Sequence, residues 1–400
     1  MKGMKKWKRY SGKIRKAAFG ILCGILFFCT QFVQAKPEEN EMVEMIPEKD
    51  YEDYSSELLE KMELDEIQDM MDELLGDRSF HFGEAITQII SGEQPFSRDV
   101  FLEIVYEAVF GEIDRQRQSI FQMLLLVLAA AFFANFAKAF EKSQVGEISF
   151  YVIYLILFAL LMNLFGSMSH SLEKNLSLLV SLMKAVAPAY YLAVAASVGV
   201  TTASLFYQIV LILILMIQIA AVSLILPCVN LYVLLELVNH LSREEMLSRL
   251  SELLKMLVEW SLKTMLGVLV GMQVIQGLVA PVMDTLKRSA IGKTAGAIPG
   301  VGNAINSVTE IILTSAVLIR NGLGVVFLVA FLMWGLTPIL RYAVSGILYK
   351  LVAAAAQPVS DKRIVGCINT MGEGCLLLMK ILFTSEVLCM LTVIVIAGAR

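Results

Sequence analysis

No H-E-x-x-H, no G-x-S-x-G and no C-x-x-C occurs in this chain. The first absence removes the helical zinc-protease pattern, and the second removes the nucleophile elbow of the α/β-hydrolases. The third removes the usual spacing of zinc and dithiol sites. Histidine is scarce, and His81, His170 and His240 lie far apart. Gly292-Lys293-Thr294 matches the end of a phosphate-binding loop. That motif needs a glycine five residues before Gly292, and Lys287 stands there instead. Basic residues are few and line no single face, so a nucleic-acid partner is not expected. Charged residues make up only 18% of the chain, against about 25% in soluble proteins. These absences together predict a protein that is not an enzyme and carries no cofactor and no metal.

What is abundant is apolar residues, 57% of the 400, gathered in runs of around 20. Such a run crosses a hydrocarbon core of about 30 Å as a helix. Inside that core each backbone N–H and C=O must bond within its own element, which selects helices. The ten-residue alternation of a membrane barrel is absent. The expected fold class is all-α: a polytopic integral membrane helical bundle with an N-terminal signal peptide and a small extracytosolic helical region, its surroundings a lipid bilayer.

Three segments follow from the charge pattern. Residues 1–35 form the signal peptide: eight Lys/Arg and no acid within the first 16 residues, an apolar stretch Ala17–Val33, and small residues before Lys36. Cleaved or kept as an anchor, it directs the following segment out of the cytosol. Residues 36–119 carry 24 Asp/Glu against 7 Lys/Arg and form the acidic extracytosolic region. Ser55–Leu75, Phe80–Ile90 and Phe101–Ile113 read as amphipathic helices, either a cap on the membrane surface or a docking surface for a partner. Residues 120–400 form the transmembrane domain. Spans are expected at 120–140, 148–168, 176–198, 204–226, 257–280, 322–340 and 376–398, about seven in all. Shorter apolar runs at 231–241, 305–319 and 342–356 are ambiguous. Leu241–Met256 reads as an interfacial helix.

Candidate pore or packing positions come from breaks, small residues and charges within the spans. Lys184 stands one turn before Pro188, where the proline frees a carbonyl and a solvated interior position could form. Gly267 and Gly271 make a GxxxG, which lets helices approach closely, either within the chain or between copies in a homo-oligomer. Gly292, Gly296 and Gly300 recur every four residues around Pro299. That stretch is an ordinary loop, or a broken or re-entrant element that lines a pore or meets a partner. Glu236, Glu259, Lys263, Lys380 and Glu386 are the other ionisable residues in apolar runs. Glu259 and Lys263, one turn apart, are expected to pair. No acidic relay of a proton-coupled transporter is present. The cysteines read as small buried residues, though Cys367 and Cys375 flank a segment read as a loop and could pair.

The order of these features, with KAVAPAYYLAVAASVG at 184–199, LPCVNLYVLLELVNHLS at 226–242 and MDTLKRSAIGKTAGAIPGVGNAINS at 283–307, resembles the stage III sporulation protein AE family of endospore-forming bacteria. The resemblance runs from the signal to the last span. It implies a nonenzymatic component of a channel or secretion-like complex in the mother-cell membrane around the forespore. It also implies partners: the other stage III sporulation A-operon proteins and the forespore protein Q. No site residue is transferred by it. The rival expectation is a self-sufficient small-molecule transporter, with Pro188 and Pro281–Pro299 as paired helix breaks.

Overall fold

A computed structural model describes residue 68 and residues 98–139, 144–241, 247–295 and 302–397. The expected signal peptide, most of the acidic region (36–67 and 69–97), and Gly296, Pro299 and Gly300 lie outside the described residues. Within them the chain forms seven α-helices and one π-helical segment. These are α1 Arg98–Ala139, α2 Gln144–Ser197, α3 Val200–Leu215, the π segment Met216–Ile225, α4 Leu226–Leu241, α5 Ser248–Ala295, α6 Gly302–Ala356 and α7 Lys362–Ala397.

The helices are far longer than the runs that announce them. α2 has 54 residues, about 81 Å at 1.5 Å per residue, and it swallows both expected spans 148–168 and 176–198. The polar stretch between them reads as a loop only if composition is averaged. The buried side chains Leu161, Phe165, Ser169, Leu172, Leu176 and Leu179 of α2 keep three- and four-residue steps, so one buried, mostly apolar stripe continues along one face. His170 and Glu173 lie 3.5 Å apart on the opposite, exposed side. α6, with 55 residues, likewise fuses the runs at 305–319, 322–340 and 342–356. α1 crosses the 119/120 boundary without a break. Phe101–Ile113 is therefore the start of the same helix as the first apolar run.

Among the described residues four helices are long and apolar enough to cross a membrane: Tyr151–Ser197, Val200–Leu241, Ala316–Ala356 and Lys362–Ile394. The second spans α3, the π segment and α4 without interruption. The π turns end just before Pro227. Proline cannot donate, and its ring clashes with the carbonyl four residues back, so the ladder widens there. The Ser223 hydroxyl, 3.1 Å from the Gln218 carbonyl, donates within the widened turns.

The connection between α2 and α3 is tight. Gly199 joins α2 to α3 with φ 142°, a conformation that side chains rarely adopt. α4 ends at Leu241, and the Asn239 side chain accepts the Leu247 N–H at 2.9 Å just before α5 begins. Leu241–Met256 is thus divided between two helices rather than forming one interfacial helix.

The described residues all belong to the unit Tyr54–Arg400. Its centre is α7, which packs against α2, α3, α4, α5 and α6. Leu378, Ile381, Leu382, Leu388 and Val393 are fully buried there. Cys367 and Cys375, expected beside a loop, lie within this helix two turns apart as buried free thiols.

Candidate functional site

The ionic residues of the bundle meet along α7. Glu373 is the hub: Lys255 of α5 donates to its Oε2 at 2.6 Å, and the Tyr232 hydroxyl of α4 donates to the same oxygen at 3.0 Å. Lys350 of α6 lies 3.9 Å from Oε1. Four helices therefore converge on one carboxylate. Lys255 also stands 5.8 Å from the centre of the Tyr232 ring, within cation–π range.

Backbone geometry makes this meeting point. A β-carbon on Gly372 would lie 2.8 Å from Lys350 Cγ, and α6 and α7 touch through Gly346 and Gly372. Small residues allow such an approach, and it sets the Lys350 stem beside Glu373. On α5, Ser251, Lys255 and Glu259 occupy successive turns at the edge of the core-facing stripe of Leu254, Val258 and Leu262. Lys255 meets Glu373, Glu259 meets Lys380 at 2.6 Å, and Gln273 donates to Thr392 at 3.0 Å. Both sets of numbers rise together, so α5 and α7 run parallel. Glu259 thus pairs across helices with Lys380, and not with Lys263 on its own helix. The intrahelical pair satisfies local spacing, but the packing of α7 brings a better-placed amine.

Further polar contacts extend from this hub. Ser251 donates to Glu236 at 2.5 Å. The Tyr154 hydroxyl of α2 donates to the Leu237 carbonyl and lies 2.7 Å from Cys367 Sγ. His240 Nε2 is 3.2 Å from the Thr370 hydroxyl. A second cluster ties α1 to α6. Glu112, 5% exposed, accepts from Ser345 at 2.8 Å and from Gln116 at 2.9 Å. Tyr349 donates to Gln116 at 3.0 Å, and Arg115 lies 3.6 Å from Glu112.

The residues singled out by spacing lie elsewhere. Lys184 and Pro188 are exposed on α2. Gly267 and Gly271 are exposed on α5, and a β-carbon at either would meet nothing within 4 Å. The GxxxG does not pack against the described helices. Gly292 lies in the last turns of α5. Glu373, Lys255, Lys350 and Tyr232 carry no motif. The only sequence signal was an acid flanked by glycines, Gly372-Glu373-Gly374, just before the last apolar run.

An ion pair whose members are satisfied across helices holds them in register. No described cluster of three or more His, Cys, Asp or Glu could hold a metal ion. The fold and this seam define a polytopic helical membrane protein with a polar joint between its helices. The family described as stage III sporulation protein AE matches residues 80–400, and the chain belongs to that family. Stage III sporulation protein AE of Bacillus subtilis (strain 168) is 22% identical over 317 residues, covering 78% of this chain and 79% of that protein. No solved structure matches.

Proposed function

We propose that this chain is a nonenzymatic membrane component of the channel or secretion-like complex that joins mother cell and forespore during endospore development. Membership of the family over residues 80–400 carries the reading and supports a role in sporulation. The four long apolar helices agree with residence in a membrane. The ionic groups around Glu373 are paired with one another, as in a helix-locking joint. In this reading the protein sits in the mother-cell membrane around the forespore, with residues 36–119 on the extracytosolic side. Its partners are the other stage III A-operon proteins and the forespore protein Q.

The test is gentle purification of the tagged protein from membranes of sporulating cells, beside spore counts of a strain that lacks it. Stoichiometric recovery of those partners, with loss of heat-resistant spores on deletion, is expected. Recovery of the chain alone, with normal spores on deletion, overturns the proposal. Recovery alone with solute uptake by the purified protein in liposomes would replace it with the transporter.

A further inference from the structure

The last apolar stretch of α7, residues 376–397, contains one acid. Glu386 stands near its centre, ten or eleven residues from either end, about 15 Å along a helix. It is 3% exposed. Its Oε2 is fully buried and has no hydrogen-bond partner among the described residues.

Among the described residues no ion pair or hydrogen bond brings a cation to it. On its own helix, Lys380 is held by Glu259 of α5. Facing it from α6 is Gly335, whose added β-carbon would fall 1.7 Å from Oε1. Arg320 of α6 is fifteen residues before Gly335, about 22 Å along the axis, and bonds Asn321. Arg341 of α6 lies among the charges of Glu112 and Arg115. From α5, Gln273 is engaged with Thr392. The titratable group nearest in sequence is the buried Cys389 thiol, one turn on along α7. Ser385 beside it is also buried without a partner for its hydroxyl oxygen.

A carboxylate so deeply buried, with no counterion among the described residues, is costly, and the neutral acid is the form an apolar interior admits. We propose that Glu386 is a proton-binding site inside the membrane, a carboxyl that carries an exchangeable proton at the α6–α7 crossing. Gly335 supplies the space for the acid. Loss of the proton leaves a buried charge that only water or separation of the helices can relieve, so proton occupancy and the closeness of α6 and α7 are linked.

Hydrophobic and water-soluble carbodiimides distinguish this state in the full-length protein in its membranes. The acid O–H adds across one C=N bond of the reagent: the proton goes to nitrogen and the carboxyl oxygen bonds to the central carbon. The adduct rearranges to a stable N-acylurea, and no group leaves. Mass spectrometry of the peptide containing Glu386 should show the full reagent mass with dicyclohexylcarbodiimide. Labelling should fall at least tenfold with the water-soluble reagent, decline as pH rises, and vanish in Glu386→Gln. Glu373, whose Oε2 accepts from Lys255 and Tyr232, should stay unlabelled under the same conditions. Absence of the adduct at every pH overturns the proposal, as does equal labelling by both reagents. Suppression by sodium at constant pH also overturns it, with a metal cation as the occupant.

Discussion

Gly346 and Gly372 bring the backbones of α6 and α7 into direct contact: a β-carbon on Gly372 would lie 2.9 Å from the Gly346 carbonyl oxygen, and one on Gly346 would lie 3.1 Å from that of Gly372. Backbone cannot swing aside as a side-chain tip can. Gly372→Ala should therefore destabilise the bundle by about 1–3 kcal/mol, the range for forcing extra volume into a packed interface. Thermal unfolding of the purified protein in detergent, compared with wild type, measures this. An unchanged midpoint would show that the two helices do not meet as closely as described.

The same contact positions Lys350 beside Glu373, where Lys255 also arrives. Glu373→Gln should cost about 1–3 kcal/mol, since it leaves two partly buried amines facing an uncharged group. Lys255→Met alone should also destabilise. The double variant should lose less than the two singles added, with a coupling of about 1–2 kcal/mol. Strict additivity in chemical unfolding would deny the pair.

At the corner between α2 and α3, Gly199 combines φ 142° with ψ 160°, a region that only glycine occupies freely. Gly199→Ala should lower stability by about 1–3 kcal/mol through backbone strain, irrespective of space around the new methyl group. Gly166, inside α2 with nothing within 4 Å of an added β-carbon, provides the contrast. Gly166→Ala should be neutral or stabilising by up to about 1 kcal/mol. Equal effects at both positions would contradict the backbone argument.

For Gly267 and Gly271 the expectation is silence within the monomer. Because a β-carbon at either would touch nothing within 4 Å, Gly267→Ala and Gly271→Ala should leave its unfolding midpoint unlowered. Scanning calorimetry of the two variants checks this, and a loss above about 1 kcal/mol would reveal a contact at that face. Detergent-resistant oligomers measured beside it show separately whether copies meet there.

Much of the class of the protein was legible from runs of apolar residues. A bilayer punishes unpaired backbone, so length and composition alone select helices. The family could likewise be read from local strings such as those at 184–199 and 283–307. The number of separate helices could not. At residues 167–175 of α2 the polar composition looks like a loop, while the stripe through Leu172 and Leu176 continues the helix. Averaged hydropathy discards that phase.

The polar joint between the helices was harder still to read. By itself the sequence determined that this is a helical membrane protein whose charges are few and costly to bury, because that follows from residue type and run length. It also showed that Glu259 needs a partner, and local spacing offered Lys263. Only the tertiary structure decided that Lys380 is that partner, that Glu373 gathers groups from three other helices, and that Glu386 Oε2 is buried with no partner among the described residues. The physical reason is that electrostatic partners are set by distance in space. In this bundle those distances are created by the close approach of α6 to α7 at Gly346 and Gly372 and by the parallel register of α5 and α7, neither of which is written in any local motif.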